Sequence, residues 1–160
     1  MPDGLTMIGM VPSTRAGGPD TRNAPADGSA SRATPAAARI LVVEDEFFVA
    51  MELESALGDA GFDVIGVAAS ADEAVRLAKA HKPALVLMDI RLIGTRDGVD
   101  AALEIFDATG ARAIFTSAHS DAKTHSRAAR AAPHGWIAKP YRMAPLLIMI
   151  RAALSGLERH

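Results

Sequence analysis

The chain has 160 residues, so one domain is the expectation, and 49% of them are apolar, enough for a core that an aromatic share of only 4% makes mostly aliphatic. A formal net charge of −2 gives no electrostatic footprint for nucleic acid or for an acidic membrane surface. The absence of cysteine excludes disulfides and thiolate metal sites and fits a reducing cytoplasm, and no apolar run nears the roughly 18 residues of a membrane helix.

Residues 1–38 hold five Pro, five Gly and eight Ala without any helical or strand period. This is the composition of a disordered tail. Its three Arg (Arg15, Arg22, Arg32) balance three Asp (Asp3, Asp20, Asp27), so the net charge belongs to residues 39–160. From Arg39 onward, strand and helix patterns alternate. The first strand is expected over 40–43 and the first helix over 46–60, stopped by Gly61. A strand over 63–68 follows. Ser70 with Glu73 three residues later forms a capping box, which opens a helix ending near His81, because Pro83 forbids continuation. The remaining elements are a strand over 84–88, a loop over 91–97, a helix over 98–108, a strand over 111–116, an alanine-rich helix over 121–132, a short strand over 136–138 and a closing helix over 143–157. Five strands alternating with five helices, joined by right-handed crossovers, predict a doubly wound α/β domain with a parallel sheet.

Three of these strands end in charge. Ile40-Leu41-Val42-Val43 runs into Glu44-Asp45-Glu46, Ala84-Leu85-Val86-Leu87-Met88 into Asp89, and Gly135-Trp136-Ile137-Ala138 into Lys139-Pro140. In a parallel sheet their carboxyl ends share one edge, the edge where open α/β sheets place their sites. Three carboxylates and one ammonium would then converge. Like charges at such range disfavour joint ionisation, and a hard divalent cation such as Mg²⁺ resolves this by taking carboxylate and phosphate oxygens together. The expected chemistry is Mg²⁺-assisted phosphoryl transfer to Asp89, carboxylates being known to form aspartyl phosphates. Asp45 and Asp89 are the best direct ligands. Glu44, a methylene longer, suits a metal-bound water. Lys139 would meet the remaining phosphoryl oxygens as a point charge.

Residues 39–157 resemble a response-regulator receiver domain of the CheY-like superfamily, through Val42-Val43-Glu44-Asp45-Glu46, Leu87-Met88-Asp89, Ser117-Ala118 and Lys139-Pro140. The resemblance implies a flavodoxin-like fold of strand order 2-1-3-4-5. It implies that Asp89 accepts a phosphoryl group from a histidine kinase or a histidine phosphotransfer protein, in a cytoplasmic two-component system or phosphorelay. Glu44 and Asp45 correspond to the acidic pair, with the backbone carbonyl of Arg91 as a further metal ligand. Lys139 corresponds to the family's lysine, usually followed by a cis peptide, here at Pro140. Ser117 is the expected switch hydroxyl, with Thr116 the runner-up. Trp136 stands where the family carries a Tyr or Phe that turns inward on activation. Arg91 and His119 flank the position of the hydrolytic water, so they are expected to tune the lifetime of the phosphoryl group. The loop after Asp89 is one residue longer than the common form and lacks its usual Pro. His81, His125, His134 and His160 show no ligand spacing and read as surface residues.

The resemblance further implies a phosphoacceptor regulator rather than a classical enzyme, with self-catalysed phosphorylation and dephosphorylation. No output domain follows the closing helix, so a single-domain regulator signalling through a protein surface is expected. Leu146-Leu147-Ile148-Met149-Ile150 makes the last helix apolar on more than one face, and Phe47-Phe48 marks the first. Kinases and phosphotransfer proteins dock near these helices in the family, and homodimers form through the last two. Three other readings compete with this one. A haloacid-dehalogenase-like phosphatase wants an acid where Arg91 stands. A flavodoxin-type FMN carrier would have its phosphate repelled by Glu44-Asp45-Glu46. A pseudo-receiver, binding partners without phosphorylation, is the remaining alternative.

Overall fold

A computed structural model describes residues 36–159 of the chain. The tail expected over residues 1–38 lies outside the described residues except for its last three. The sheet has five strands in the order β2-β1-β3-β4-β5, and every neighbouring pair is parallel. The strands are β1 Arg39–Val43, β2 Asp63–Ala68, β3 Leu85–Asp89, β4 Arg112–Ser117 and β5 Gly135–Ala138. The helices are α1 Phe47–Asp59, α2 Ala71–His81, α3 Gly98–Thr109, α4 Ala122–Ala128 and α5 Met143–Leu157. This is the doubly wound, flavodoxin-like arrangement read from the sequence. Among the described residues no helix is long and apolar enough to cross a membrane.

The central strands β1, β3 and β4 are continuous apolar runs because helices cover both their faces. Alternation along each strand sorts their side chains into two layers. Val43, Val86, Met88 and Phe115 pack on the alanine-rich faces of α2 and α3. Ile40, Val42, Leu85, Leu87 and Ile114 pack on Leu53 and Leu57 of α1 and on Leu146 and Ile150 of α5. Each fully buried Leu or Ile contributes roughly 2 kcal/mol, so the second layer fixes α1 and α5 firmly. The large apolar residues of α5 that suggested two apolar faces divide accordingly: Leu146 and Ile150 are buried, while Ile148 is exposed.

Local chemistry sets the boundaries. Ser70 Oγ accepts from the Glu73 amide at 3.3 Å, the cap expected for α2, and Lys82 leaves the helix in the left-handed region just before Pro83. The Asp97 carboxylate caps α3 by accepting from the Asp100 amide, and the Asp100 side chain accepts from the Asp97 amide in return. The alanine-rich segment departs from expectation. It is helical only to Ala128, tightens into a 3-10 turn over Ala129–Ala131, and stops at Ala132 in the left-handed region. Pro133 follows and disfavours helical geometry at the residue before it.

Among the described glycines, Gly98 leaves the least room for a side chain. A Cβ there would lie 2.0 Å from the carbonyl oxygen of Asp89, and the Gly98 amide donates to the Ile90 carbonyl at 2.7 Å. Replacing Gly98 by Ala therefore forces backbone apart. The expected loss is about 3 kcal/mol, read as a lower urea midpoint. Gly58→Ala in α1, where nothing lies within 4 Å of the added carbon, is expected to gain about 0.5 kcal/mol. Equal midpoints for the two variants would contradict this account.

Candidate functional site

Parallel register brings the carboxyl ends of four strands to one edge. Val43 pairs with Met88, Asp89 with Thr116, and Ser117 with Ala138. The residues at or just past those ends are Glu44 and Asp45, Asp89, Ser117, and Lys139. One carboxylate oxygen from each of Glu44, Asp45 and Asp89 lies within 4.8 Å of the others. Glu44 and Asp89 are only 2% and 6% exposed, whereas Asp45 faces solvent. Lys139 Nζ donates to Glu44 Oε2 at 2.8 Å and to Asp89 Oδ2 at 3.0 Å. The other oxygens are held by backbone: the Glu46 amide donates to Glu44 Oε1 and the Arg91 amide to Asp89 Oδ1. The expected convergence of three acids and Lys139 is thus present.

The electrostatics follow from burial. Loss of water raises the Glu44 carboxyl above its usual value, with the Lys139 bond opposing and the Asp89 charge adding. Burial by itself would lower Lys139, but its bonds to Glu44 and Asp89 outweigh that and hold the ammonium above its usual range. Three carboxylates against one ammonium leave two negative charges uncompensated. The donors are all hard oxygens, without nitrogen or sulfur, which is the set Mg²⁺ or Ca²⁺ takes. The chemistry of the residues present therefore fits a hard divalent cation. Beside them, a cavity of about 420 Å³ is lined by Glu46, Val49, Glu52, Lys139 and Tyr141. Tyr141 Oη is buried there without a partner, and burial pushes the phenol up to about 12.

Ser117 and Thr116 separate by face. Thr116 follows the parity of Ile114, in the layer under α1 and α5. Ser117 shares the face of Phe115, which pairs with Trp136. Ser117 Oγ donates to the His119 carbonyl at 2.6 Å and accepts from the His119 amide at 3.1 Å. Trp136 is stacked on Phe115, with ring centroids 4.5 Å apart. Arg91 and His119 line a second cavity of about 670 Å³ with Thr95, Asp97 and Asp121.

The histidines are not uniformly idle. His81 is exposed as expected, and His160 lies outside the described residues. His134 is half-buried with Nε2 unpartnered, and burial, then Arg112, lowers it. His125, exposed on α4, lies against Trp136 with ring centroids 3.8 Å apart. Sequence spacing missed this, because the stack joins a helix to a strand that only the fold brings together.

Residues 40–151 match the family described as the response regulator receiver domain. The chain is 37% identical to the transcriptional regulatory protein PdtaR of Mycobacterium tuberculosis over 117 residues, 73% of this chain but only 57% of that longer protein. It is 36% identical to the chemotaxis protein CheY of Bacillus subtilis over 119 residues, covering 73% of this chain and 98% of CheY. Among solved structures, the signal receiver domain of a modulated diguanylate cyclase from Desulfovibrio desulfuricans G20 superimposes with a TM-score of 0.70 at 35% identity, over 75% of this chain and 95% of that one. Fold, sheet edge and family match agree: the chain belongs to the response regulator receiver domain family.

Proposed function

We propose that residues 39–160 act as the phosphoacceptor receiver of a two-component or phosphorelay system, with Asp89 as the acceptor and residues 1–38 as a separate tail. The observation that carries this is the placement of Asp89: its carboxylate is buried, bonded to Lys139, and grouped with Glu44 and Asp45. The donor is a histidine kinase or a histidine phosphotransfer protein. The bond from phosphorus to the donor's imidazole nitrogen breaks as one from phosphorus to an Asp89 oxygen forms.

Asp45, Asp89, Glu44 through water, and the Arg91 carbonyl would hold Mg²⁺. When bound, the ion supplies neutralisation of the clustered carboxylates and of the incoming phosphoryl oxygens. The Arg91 amide fixes Asp89 Oδ1 and so orients the carboxylate. Lys139 passes from Asp89 Oδ2 to a phosphoryl oxygen, keeping one donor on Glu44. Ser117, on the face shared with Trp136, exchanges its bond to His119 for one to the phosphoryl group. Trp136 is the aromatic that responds on β5. The output is a changed protein-binding surface. The exposed Phe47 and Phe48 of α1, 68% and 80% exposed, suit a docking partner, and a homodimer through α4 and α5 is the associated assembly. A second reading is a pseudo-receiver that binds partners without phosphorylation. The stacking of Trp136 on Phe115 favours it, since an indole held there has less room to turn than a smaller ring.

Three measurements test the proposal. With Mg²⁺ and phosphoramidate or acetyl phosphate, intact mass should rise by one phosphoryl group; Asp89→Asn and chelation with EDTA should each abolish the gain. No gain in the unaltered protein would leave the pseudo-receiver. Mg²⁺ alone, at ten times its Kd, should stabilise the fold by about 1.4 kcal/mol, a rise of about 5 °C in Tm. Asp45→Asn should remove most of that rise, and an undiminished one would exclude Asp45 as a ligand. Finally, Arg91→Ala and His119→Ala should each change the dephosphorylation rate by about fivefold, the equivalent of one hydrogen bond of about 1 kcal/mol at the water. Unchanged rates in both would remove the lifetime role.

A further inference from the structure

Helix α4 is the helix least held by the core. Of its seven residues only Ala128 is buried. Contacts at its surface help to place it. One is the ion pair of Arg127 with Asp97, whose side chains both remain partly exposed. Another is His125. Its ring lies 3.8 Å from that of Trp136, tilted by 31°, while Trp136 rests on the buried Phe115 at 4.5 Å and 26°. At the same time His125 Nε2 lies 2.9 Å from Ser120 Oγ.

Ser120 belongs to the loop that leaves β4 at Ser117. That loop is closed on itself by Ser117 Oγ, which donates to the His119 carbonyl and accepts from the His119 amide. A continuous set of contacts thus runs from Ser117 through His119 and Ser120 to His125 and Trp136. A serine hydroxyl carries one proton. It can donate to the His119 carbonyl or to a phosphoryl oxygen on Asp89, not to both.

The geometry points to His125 as a positioning residue: bonded to Ser120 and stacked on Trp136, it transmits the release of the Ser117–His119 bond to the indole on the edge strand β5. The inference rests on the phosphoacceptor reading of Asp89 and names the path by which that event reaches the surface. The residue type suits the task. An imidazole offers a flat ring for the indole and a nitrogen for the hydroxyl. Phenylalanine can stack without bonding, and glutamine can bond without stacking.

The chain has a single tryptophan, so its emission reports Trp136 alone. The unaltered protein, His125→Phe, His125→Gln and Ser120→Ala are phosphorylated with phosphoramidate and Mg²⁺, and each sample is split between intact mass and emission. The unaltered protein should gain one phosphoryl group and change its Trp136 emission. The variants should take up the same phosphoryl group and unfold at nearly the same urea midpoint, yet lose most of the emission change. A merely structural role would move the midpoint and leave the change intact. Ser120→Ala keeps the test decisive should a change at His125 disturb α4, since Ser120 is exposed and outside the helices. An undiminished emission change in Ser120→Ala and His125→Phe overturns the inference, as does a phosphorylated unaltered protein with unchanged emission. Absence of any mass gain in the unaltered protein would instead overturn the phosphoacceptor reading, and this inference with it.

Discussion

Two carboxylates withdrawn from water at one sheet edge need a counter-charge, and Lys139 supplies it to both. Glu44 is 95 residues away in sequence and Asp89 50, yet one ammonium bonds both. Breaking a buried pair by removing one partner costs about 3–5 kcal/mol, because a charge is left uncompensated. The sheet must therefore keep β1, β3 and β5 in fixed register at their carboxyl ends. The geometry constrains β4 as well. It lies between β3 and β5, so the lysine must pass over its end to reach Asp89. Strands sit about 4.8 Å apart, and a lysine spans two of them only where the intervening strand ends in small residues. Thr116, Ser117 and Ala118 meet that condition.

The same edge is rigid on one side and loosely held on the other. Helices α1 and α5 are fixed by buried Leu and Ile against β1, β3 and β4. Helix α4 has one buried residue and relies on a stacked ring and an ion pair. Ion pairs between partly exposed groups contribute about 0–1 kcal/mol, so α4 belongs to the low-stability end of the molecule, where moving elements are found. The proposed docking on α1 and a displacement of α4 would then not disturb one another. The charged cluster lies between a firmly packed side and a weakly packed helix, an arrangement that suits a protein whose proposed work is to convert a local charge change into a surface change.

Much of this was legible in the sequence for physical reasons. Apolar runs of four to six residues ending in charge, separated by helical periods, leave few topologies once crossovers are right-handed. The ends of those runs then name the cluster. What was not legible depended on contacts across elements. His125 looked like a surface histidine because nothing in its own helix marks it, and its partner Trp136 is joined to it only by the fold. The reciprocal cap of Asp97 and Asp100 has Asp where the usual box has Glu, so the pattern did not register. The alanine-rich run promised twelve helical residues on propensity alone. With only Ala128 and Ala131 buried along it, little packing opposes the early stop before Pro133.

The loop after Asp89 shows how backbone contacts can hold a segment beside the proposed acceptor. Its two ends are fixed by backbone: the Arg91 amide bonds the Asp89 carboxylate, and the Gly98 amide bonds the Ile90 carbonyl while its bare Cα rests on the Asp89 carbonyl. The slack lies between them. Gly94 adopts a φ of +108°, a conformation glycine takes without strain, so it turns the chain there. Ile93 is bridged to Ser70, and Arg96 is paired with Asp72 of α2 and Glu104 of α3. The middle of the loop is thus anchored to α2 and α3. The atoms nearest the proposed acceptor are held by backbone hydrogen bonds at both ends of the loop.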